Sequence, residues 1–230
     1  MAVLSVARQT GSVGTSWLDA HRDTVTVTGV DATTYLQSQL SQEIRDLAIG
    51  DSRWTFLLEP NGRIDVLARI TRVADETYQL DTDGGFGKTL LDRVNRFKIR
   101  VRADVELTAS TGQALDNGSD RERIEAGWPR MGAEIISGET IPAETGLNEV
   151  AVNFKKGCYP GQELVERMDS RSAVAPRSLR RLDVAEGAVA GDPIVDADGN
   201  EVGVLTTVSG TRALGYVKRN SDVGEPVTHS

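Results

Sequence analysis

Apolar and polar residues alternate along several short stretches of this chain and shift to a helical period between them. Val25-Thr26-Val27-Thr28 alternates as a strand and stops at Gly29. Asp31 stands where an N-cap belongs, and Leu36 and Leu40 share one face of the helix that would follow. Arg53 to Leu58 reads as a second strand. Glu59-Pro60-Asn61-Gly62 then supplies a hairpin turn, because Pro fixes φ and Asn-Gly tolerates positive φ. On the returning strand, Arg63 to Val73, the side chains of Ile64, Val66, Ala68 and Ile70 point one way. Arg63, Asp65, Leu67 and Arg69 point the other, which sets a carboxylate between two guanidiniums on one sheet face. Tyr78 to Asp81 predicts a short strand. Phe86 to Phe97 predicts a helix with the stripe Leu90, Leu91, Val94 and Phe97, and Ile99, Val101, Ala103 and Val105 predict a further strand.

Short strands on either side of two intervening helices predict an α+β fold with ferredoxin-like, split βαβ packing. Residues 109–119 are turn-rich, and a short helix is expected over Asp120–Ala126. Gly132 to Asn148 reads as loop, Val150 to Phe154 as a strand, and Pro160 to about Met168 as a helix. A linker is expected over 171–176. From Leu179 onward, short alternating segments punctuated by Gly187, Gly191, Asp198-Gly199 and Gly210 predict a small β domain. The expected division is therefore 1–170, with an internal break near 109–119, and a β-barrel over 177–230. Residues 1–22 are weakly patterned and read as an arm or edge segment.

Composition narrows the function classes. The 39% hydrophobic and 26% charged content is ordinary for a globular chain, and 230 residues can bury a substantial core. A net charge of −8 argues against a general nucleic-acid binder, although Arg93, Arg96, Lys98, Arg100 and Arg102 form a local basic run. One cysteine fits a reducing compartment and excludes a disulfide scaffold. The stretch from Met1 to Arg8 lacks a signal-peptide pattern, and no run approaches the ~20 apolar residues of a membrane span. Cytoplasmic location, without membrane attachment, is the expectation. His21, His229 and one cysteine give no zinc spacing, and a four-iron cluster needs about four thiolates. No stably bound metal is expected, and any cluster ligation would be shared with a partner.

The lone cysteine is the main candidate for chemistry. Cys158 follows Lys155-Lys156-Gly157 and precedes the predicted helix start Pro160-Gly161-Gln162-Glu163. Ammonium groups and a helix N-terminus both favour a thiolate. A single free cysteine is usually a buried structural residue, but the surrounding glycines, lysines and Gln-Glu make an apolar site implausible. Gly84-Gly85-Phe86-Gly87-Lys88-Thr89 imitates the end of a phosphate-binding loop. Thr82 occupies the place of the first glycine, and the hairpin-rich pattern does not suit a parallel nucleotide-binding fold.

Lys156-Gly157-Cys158-Tyr159-Pro160-Gly161-Gln162-Glu163 resembles the K-G-C-Y-x-G-Q-E signature of the YgfZ family, folate-binding relatives of the glycine-cleavage aminomethyltransferase (GcvT) that take part in iron–sulfur cluster assembly or repair. Asn61-Gly62-Arg63-Ile64-Asp65, Arg123-Ile124-Glu125-Ala126-Gly127-Trp128-Pro129, Ile141-Pro142-Ala143-Glu144 and Ala213-Leu214-Gly215-Tyr216-Val217 extend the likeness across roughly residues 20 to 218. The resemblance implies a GcvT-like folate-binding fold with a small C-terminal β-barrel. It also implies tetrahydrofolate, or a one-carbon derivative, in a central cavity, with iron–sulfur client or carrier proteins as partners. Asp65 would lie at the reactive end of the folate, with Cys158 facing the same space. Arg63, Arg123, Glu125, Lys156, Gly157, Tyr159, Gly161, Gln162 and Glu163 would help bind the cofactor, Arg123 gripping its carboxylate tail. The aminomethyltransferase often has two consecutive aspartates where Val66 follows Asp65 here. A one-carbon transferase acting on a small amine and a non-catalytic, folate-stabilised scaffold are the rival readings.

Overall fold

A computed structural model describes residues 18–19, 21–109, 120–169 and 175–229. The N-terminal sheet is built from β1 (Arg22–Thr28), β2 (Ser52–Leu58), β3 (Ile64–Ala74), β4 (Thr77–Asp83) and β5 (Asp104–Ala109), with α1 (Ala32–Gln39) and α2 (Gly87–Asn95) between them. Strand order is β2-β3-β4-β1-β5, and every neighbouring pair is antiparallel. Without β2, the order β3-β4-β1-β5 is that of a ferredoxin-like sheet: the crossover through α1 spans β4, and the crossover through α2 spans β1. The expected packing is present, with β2 as an added edge strand inside the first crossover.

Both faces of this sheet are covered. On one face Val25, Val27, Val66, Ala68, Ile70 and Leu80 pack with Tyr35, Leu36 and Leu40 of the α1 region and with Leu90 and Val94 of α2. On the other, Trp54, Phe56, Leu58, Ile64 and Leu67 meet later segments through Trp128, Met131, Ile135, Leu147 and Val165. A strand buried on both sides needs a nearly continuous apolar run, and Trp54 to Leu58 supplies one. Each such side chain contributes roughly 1.5–3 kcal/mol through burial.

A bulge corrects the expected phase of β3. Leu57 pairs with Val66 while Leu58 pairs with Ile64, so Asp65 is the extra residue. Ile64 consequently joins the cluster of Leu67, on the face opposite Val66, Ala68 and Ile70. Asp65 is not held between Arg63 and Arg69. Arg63 donates to the Glu139 carbonyl, and Arg69 pairs with Asp81 and Asp19.

Three further expectations change. Asp31 occupies the N-cap of α1 but makes no capping hydrogen bond, because its carboxylate accepts from the backbone and guanidinium of Arg102. The strand expected from Ile99 begins only at Asp104: Arg100 has φ +57° and Ile99 is 77% exposed. Val150 to Phe154 is not a strand. Its first part closes a short helical turn, and its backbone is satisfied by the segment after α1: Ser41 Oγ donates to Ala151 O, and Asn153 N donates to Ser41 O.

The second layer comprises α3 (Asp120–Ala126), α4 (Pro142–Thr145), α5 (Asn148–Ala151) and α6 (Gln162–Asp169). The C-terminal unit is a barrel-like antiparallel sheet of β6 (Arg177–Asp183), β7 (Pro193–Val195), β8 (Glu201–Ser209), β9 (Arg212–Lys218) and β10 (Glu225–Pro226), ordered β10-β6-β9-β8-β7. Ile124 of α3 seats against Leu179, Leu214, Tyr216 and Val227 of this unit. Of the expected arm over 1–22, turn-rich stretch over 109–119 and linker over 171–176, residues 1–17, 20, 110–119 and 171–174 lie outside the described residues.

Candidate functional site

Two sequence motifs far apart in the chain meet at the β2–β3 turn. Gly62 N donates to Glu59 O at 2.8 Å, closing the turn, and Gly62 takes φ +85°. Gly161, in the loop after Cys158, has φ +81°. A Cβ on Gly161 would fall 2.6 Å from Glu59 O and 2.8 Å from Gly62 Cα; one on Gly62 would fall 2.4 Å from Leu164 Cβ. Both positions therefore require glycine twice over, for conformation and for closeness. This contact docks the cysteine loop on the hairpin that leads into Asp65.

Asp65 is 8% exposed. Its Oδ2 lies 3.1 Å from Arg93 Nε and 3.8 Å from Arg96 Nη1, yet among the described residues it accepts no well-formed hydrogen bond. Arg93 instead directs its donors to Leu58 O (3.2 and 2.7 Å) and Gln39 Oε1 (3.2 Å). Burial raises the Asp65 carboxyl above its ordinary range, and the neighbouring negative charge of Glu59 adds to this; Arg93 and Arg96 pull the other way. Burial also lowers the affinity of Arg93 for its proton. Both partners thus resist carrying charge in this corner. The sequence reading had Glu59 only as part of the hairpin turn and Arg93 and Arg96 only as part of a basic run, not as site residues. Arg93 had left a trace, since it falls on the buried face of α2 between Leu90 and Val94.

The cysteine loop is arranged differently from expectation. Cys158 is exposed. The ammonium of Lys156 is buried and donates to Gln37 O (2.6 Å) and Leu40 O, capping the C-terminal end of α1. It also sits 5.0 Å from the centre of the Tyr159 ring. Burial pushes Lys156 down to about 8 and Tyr159 up to about 12. Lys156 therefore anchors the loop to α1, and α6 begins only at Gln162, four positions past the thiol. Gly157 is exposed, with space around it. Gln162 bonds Glu166 and Glu163 bonds Arg167, both along α6.

Arg123 and Glu125 lie elsewhere, at the joint between α3 and the barrel-like unit. Arg123 is 3% exposed and donates to Asp120 (3.1 Å), Trp128 O (2.8 Å), Glu134 (2.7 Å) and Thr207 Oγ1 (2.8 Å). Glu134, fully buried, also accepts from the hydroxyls of Thr206 and Thr207 at 2.7 and 2.6 Å. Glu125 is exposed and pairs with Arg212 at 3.0 Å. These contacts fasten the two units together. They leave Arg123 little capacity to grip a ligand carboxylate.

The imitation phosphate loop is filled from within. Asp23 Oδ2 accepts from Gly85 N and Gly87 N, both at 2.9 Å, where an anion would otherwise sit. A crevice of about 950 Å³ lies in the C-terminal unit, walled by residues such as Pro176, Asp196, Lys218 and Asp222. Neither Asp65 nor Cys158 lines it, so this crevice is not the pterin-sized hollow expected beside the thiol. Among the described residues no group of three His, Cys, Asp or Glu side chains is placed to hold a metal, and no helix is long and apolar enough to cross a membrane.

Residues 176–230 match the family described as CAF17, C-terminal beta-barrel domain. A Neurospora crassa protein named iron-sulfur cluster assembly factor IBA57 homolog, mitochondrial, is 32% identical over 62% of this chain and 34% of its own length. An Escherichia coli O139:H28 protein named tRNA-modifying protein YgfZ is 49% identical over 43% of this chain and 26% of its own length. Over part of its length the chain is thus similar to YgfZ and IBA57 proteins, and its C-terminal segment to the CAF17 barrel domain. Its fold is that of the glycine cleavage system aminomethyltransferase T from Bartonella henselae, which superposes with a TM-score of 0.71 over 86% of this chain and 76% of that one, at 18% identity. The matches span from 24% to 66% of the length of the first curated relatives.

Proposed function

We propose that this protein is a member of the YgfZ/IBA57 family and a cytoplasmic, tetrahydrofolate-dependent factor for the assembly, repair or maintenance of iron–sulfur proteins. The observation that carries this reading is the orphaned buried oxygen of Asp65, set in a corner that the cysteine loop closes through Gly62 and Gly161. An unpartnered buried carboxylate oxygen costs stability unless a ligand donor meets it, and a pterin offers N–H groups. Asp65 and, through the turn, Arg63 would hold the folate, while Tyr159, Gly161, Gln162 and Glu163 shape and support the neighbouring loop. Bound folate would supply nitrogen atoms able to carry a one-carbon unit. Cys158, exposed at the surface, would be the group that meets an iron–sulfur client or carrier. Arg123, Glu125 and Lys156 act by fixing the units and the loop. The names of the relatives support the iron–sulfur side of the reading.

The test has two arms. Tetrahydrofolate should raise the melting temperature of the wild-type protein, since a ligand that binds the native state stabilises it by mass action, and should fail to do so for Asp65→Asn. In cells lacking the endogenous factor, wild type but neither Cys158→Ala nor Cys158→Ser should restore a cluster-dependent enzyme. Turnover of a folate one-carbon donor that ignores loss of Cys158 would favour the transferase instead. Complementation by Asp65→Asn without folate binding would favour a scaffold.

A further inference from the structure

The basic run read in the sequence, Arg93, Arg96, Lys98, Arg100 and Arg102, divides in two in the structure. Three of its cations are spent within the chain: Arg93 on Leu58 O and Gln39, Arg96 beside Glu59 and Asp65, and Arg102 on Asp31. Among the described residues, Lys98 and Arg100 have neither an ion pair nor a side-chain hydrogen bond. Between them Ile99 is 77% exposed, more than any other large hydrophobic side chain described. Arg100 takes φ +57°, a left-handed conformation that costs a non-glycine residue energy and delays the start of β5 to Asp104. The loop that carries Val30, itself 54% exposed, adjoins this one. Asp31 N donates to Arg102 O at 3.3 Å, and a Cβ on Gly29 would fall 2.4 Å from the same oxygen. Two adjoining loops thus present apolar Val30 and Ile99 beside two unpaired cations, on a chain whose net charge is −8.

We propose that these two loops are a docking surface for a protein partner whose contact region is acidic around an apolar centre. The partner is the iron–sulfur client or carrier of the preceding reading, and the inference rests on that reading for this identity alone. A merely solvated basic face has no use for apolar tips, whereas a protein interface combines an apolar centre with charges at its rim. Carboxylates on the partner would complement Lys98 and Arg100 and steer its approach. A second copy of this chain is disfavoured, because a two-fold contact would set the same cations against each other between two acidic molecules. Two free cations fall far short of the basic stripe that a nucleic acid requires. Anionic membrane surfaces are recognised by clusters of about four to eight cations. The surface also has a link to the thiol. Arg96 stands 3.9 Å from Glu59, and the cysteine loop packs on the same turn through Gly161. The end of α2 and the cysteine loop thus flank one turn.

The test uses the full chain carrying Lys98→Gln, Ile99→Ser and Arg100→Asn together, Asn being a residue that accepts the left-handed conformation. In cells lacking the endogenous factor, this variant should restore a cluster-dependent enzyme about tenfold less well than the wild type, as loss of an interface centre would. Its melting temperature, and the rise that tetrahydrofolate produces, should match those of the wild type. Full restoration by the variant would overturn the proposal. Lys98→Glu with Arg100→Glu should lose more than Lys98→Gln with Arg100→Gln, and equal losses would refute an acidic partner. In the second arm the purified protein is titrated with a fluorescent peptide, Leu-centred and Glu-flanked, with single-stranded RNA, and with phosphatidylglycerol vesicles. The peptide alone should bind, more weakly as salt rises, and the triple variant should lose about tenfold in affinity. No peptide binding, peptide binding unchanged in the variant, or binding of RNA or vesicles in its place would each overturn the docking surface. Should the wild type itself fail to restore the enzyme, the iron–sulfur reading fails, whereas the peptide titration still decides whether these loops receive an acidic partner.

Discussion

Two buried charged corners of this molecule are built in opposite ways. Around Arg123, each charge has well-formed partners: Glu134 accepts from an arginine and two threonine hydroxyls, and Arg123 reaches two carboxylates, a carbonyl and a hydroxyl. Around Asp65, guanidiniums lie near a carboxylate but give their good hydrogen bonds elsewhere, leaving Oδ2 orphaned. The first arrangement holds two units together. The second leaves hydrogen-bonding capacity unspent, which the proposed ligand site requires. Similar residue types, Arg with Asp or Glu, thus serve different ends according to whether their hydrogen-bonding potential is exhausted within the chain.

The contrast can be broken at the Arg123 corner first, where the largest effect is expected. Arg123→Met leaves Glu134 buried without its ion partner and should cost about 3–5 kcal/mol in urea unfolding. A cost below about 1 kcal/mol would show that the corner does not secure the joint. Asp65→Asn should behave oppositely at neutral pH. Because the folded protein raises the Asp65 carboxyl, ionisation weakens the fold as pH rises through that raised midpoint. The variant should therefore gain melting temperature over the wild type at pH 7, and the gain should vanish at pH 3. Equal differences at both pH values would contradict the raised carboxyl.

The joint between hairpin and cysteine loop offers the next test. Gly161→Ala must place a Cβ 2.6 Å from Glu59 O at positive φ, so a loss of about 1–3 kcal/mol is expected, together with faster alkylation of Cys158 as the loop loosens. At Lys156 the effect is one of pH. Its native midpoint of about 8 lies below the ordinary 10.5, so between these values the unfolded chain binds more protons and stability rises with pH. The melting temperature of the wild type should climb relative to Lys156→Met from pH 7.5 to 10, and a constant difference would show an unperturbed lysine. Glu125→Gln, at the exposed end of the joint, should change stability by less than about 1 kcal/mol by the same unfolding assay.

Much of the architecture was legible in the sequence because it rests on local periodicity. The hairpin at Asn61-Gly62 and the alternating strands on either side of it emerge directly from residue type. The phase of β3 did not, since a bulge is set by how Leu57 and Leu58 pair across the sheet rather than by Asp65 itself. Val150 to Phe154 has strand-forming residues but finds its partners in Ser41 and Gln42, a tertiary circumstance that overrides propensity. In the candidate site, Asp65 and Cys158 were readable from motifs. The destination of Lys156 was hidden because the carbonyls that receive it belong to a helix more than a hundred residues earlier.

The indoles of Trp54 and Trp128, tilted 57° with centres 4.7 Å apart, join the N-terminal sheet to the layer that carries the cysteine loop. Rings this close couple their electronic transitions, so the near-ultraviolet circular dichroism of the protein carries a built-in optical gauge of that union. A fall in this signal with the far-ultraviolet spectrum preserved would mark the layer lifting away while the strands beneath it stay intact.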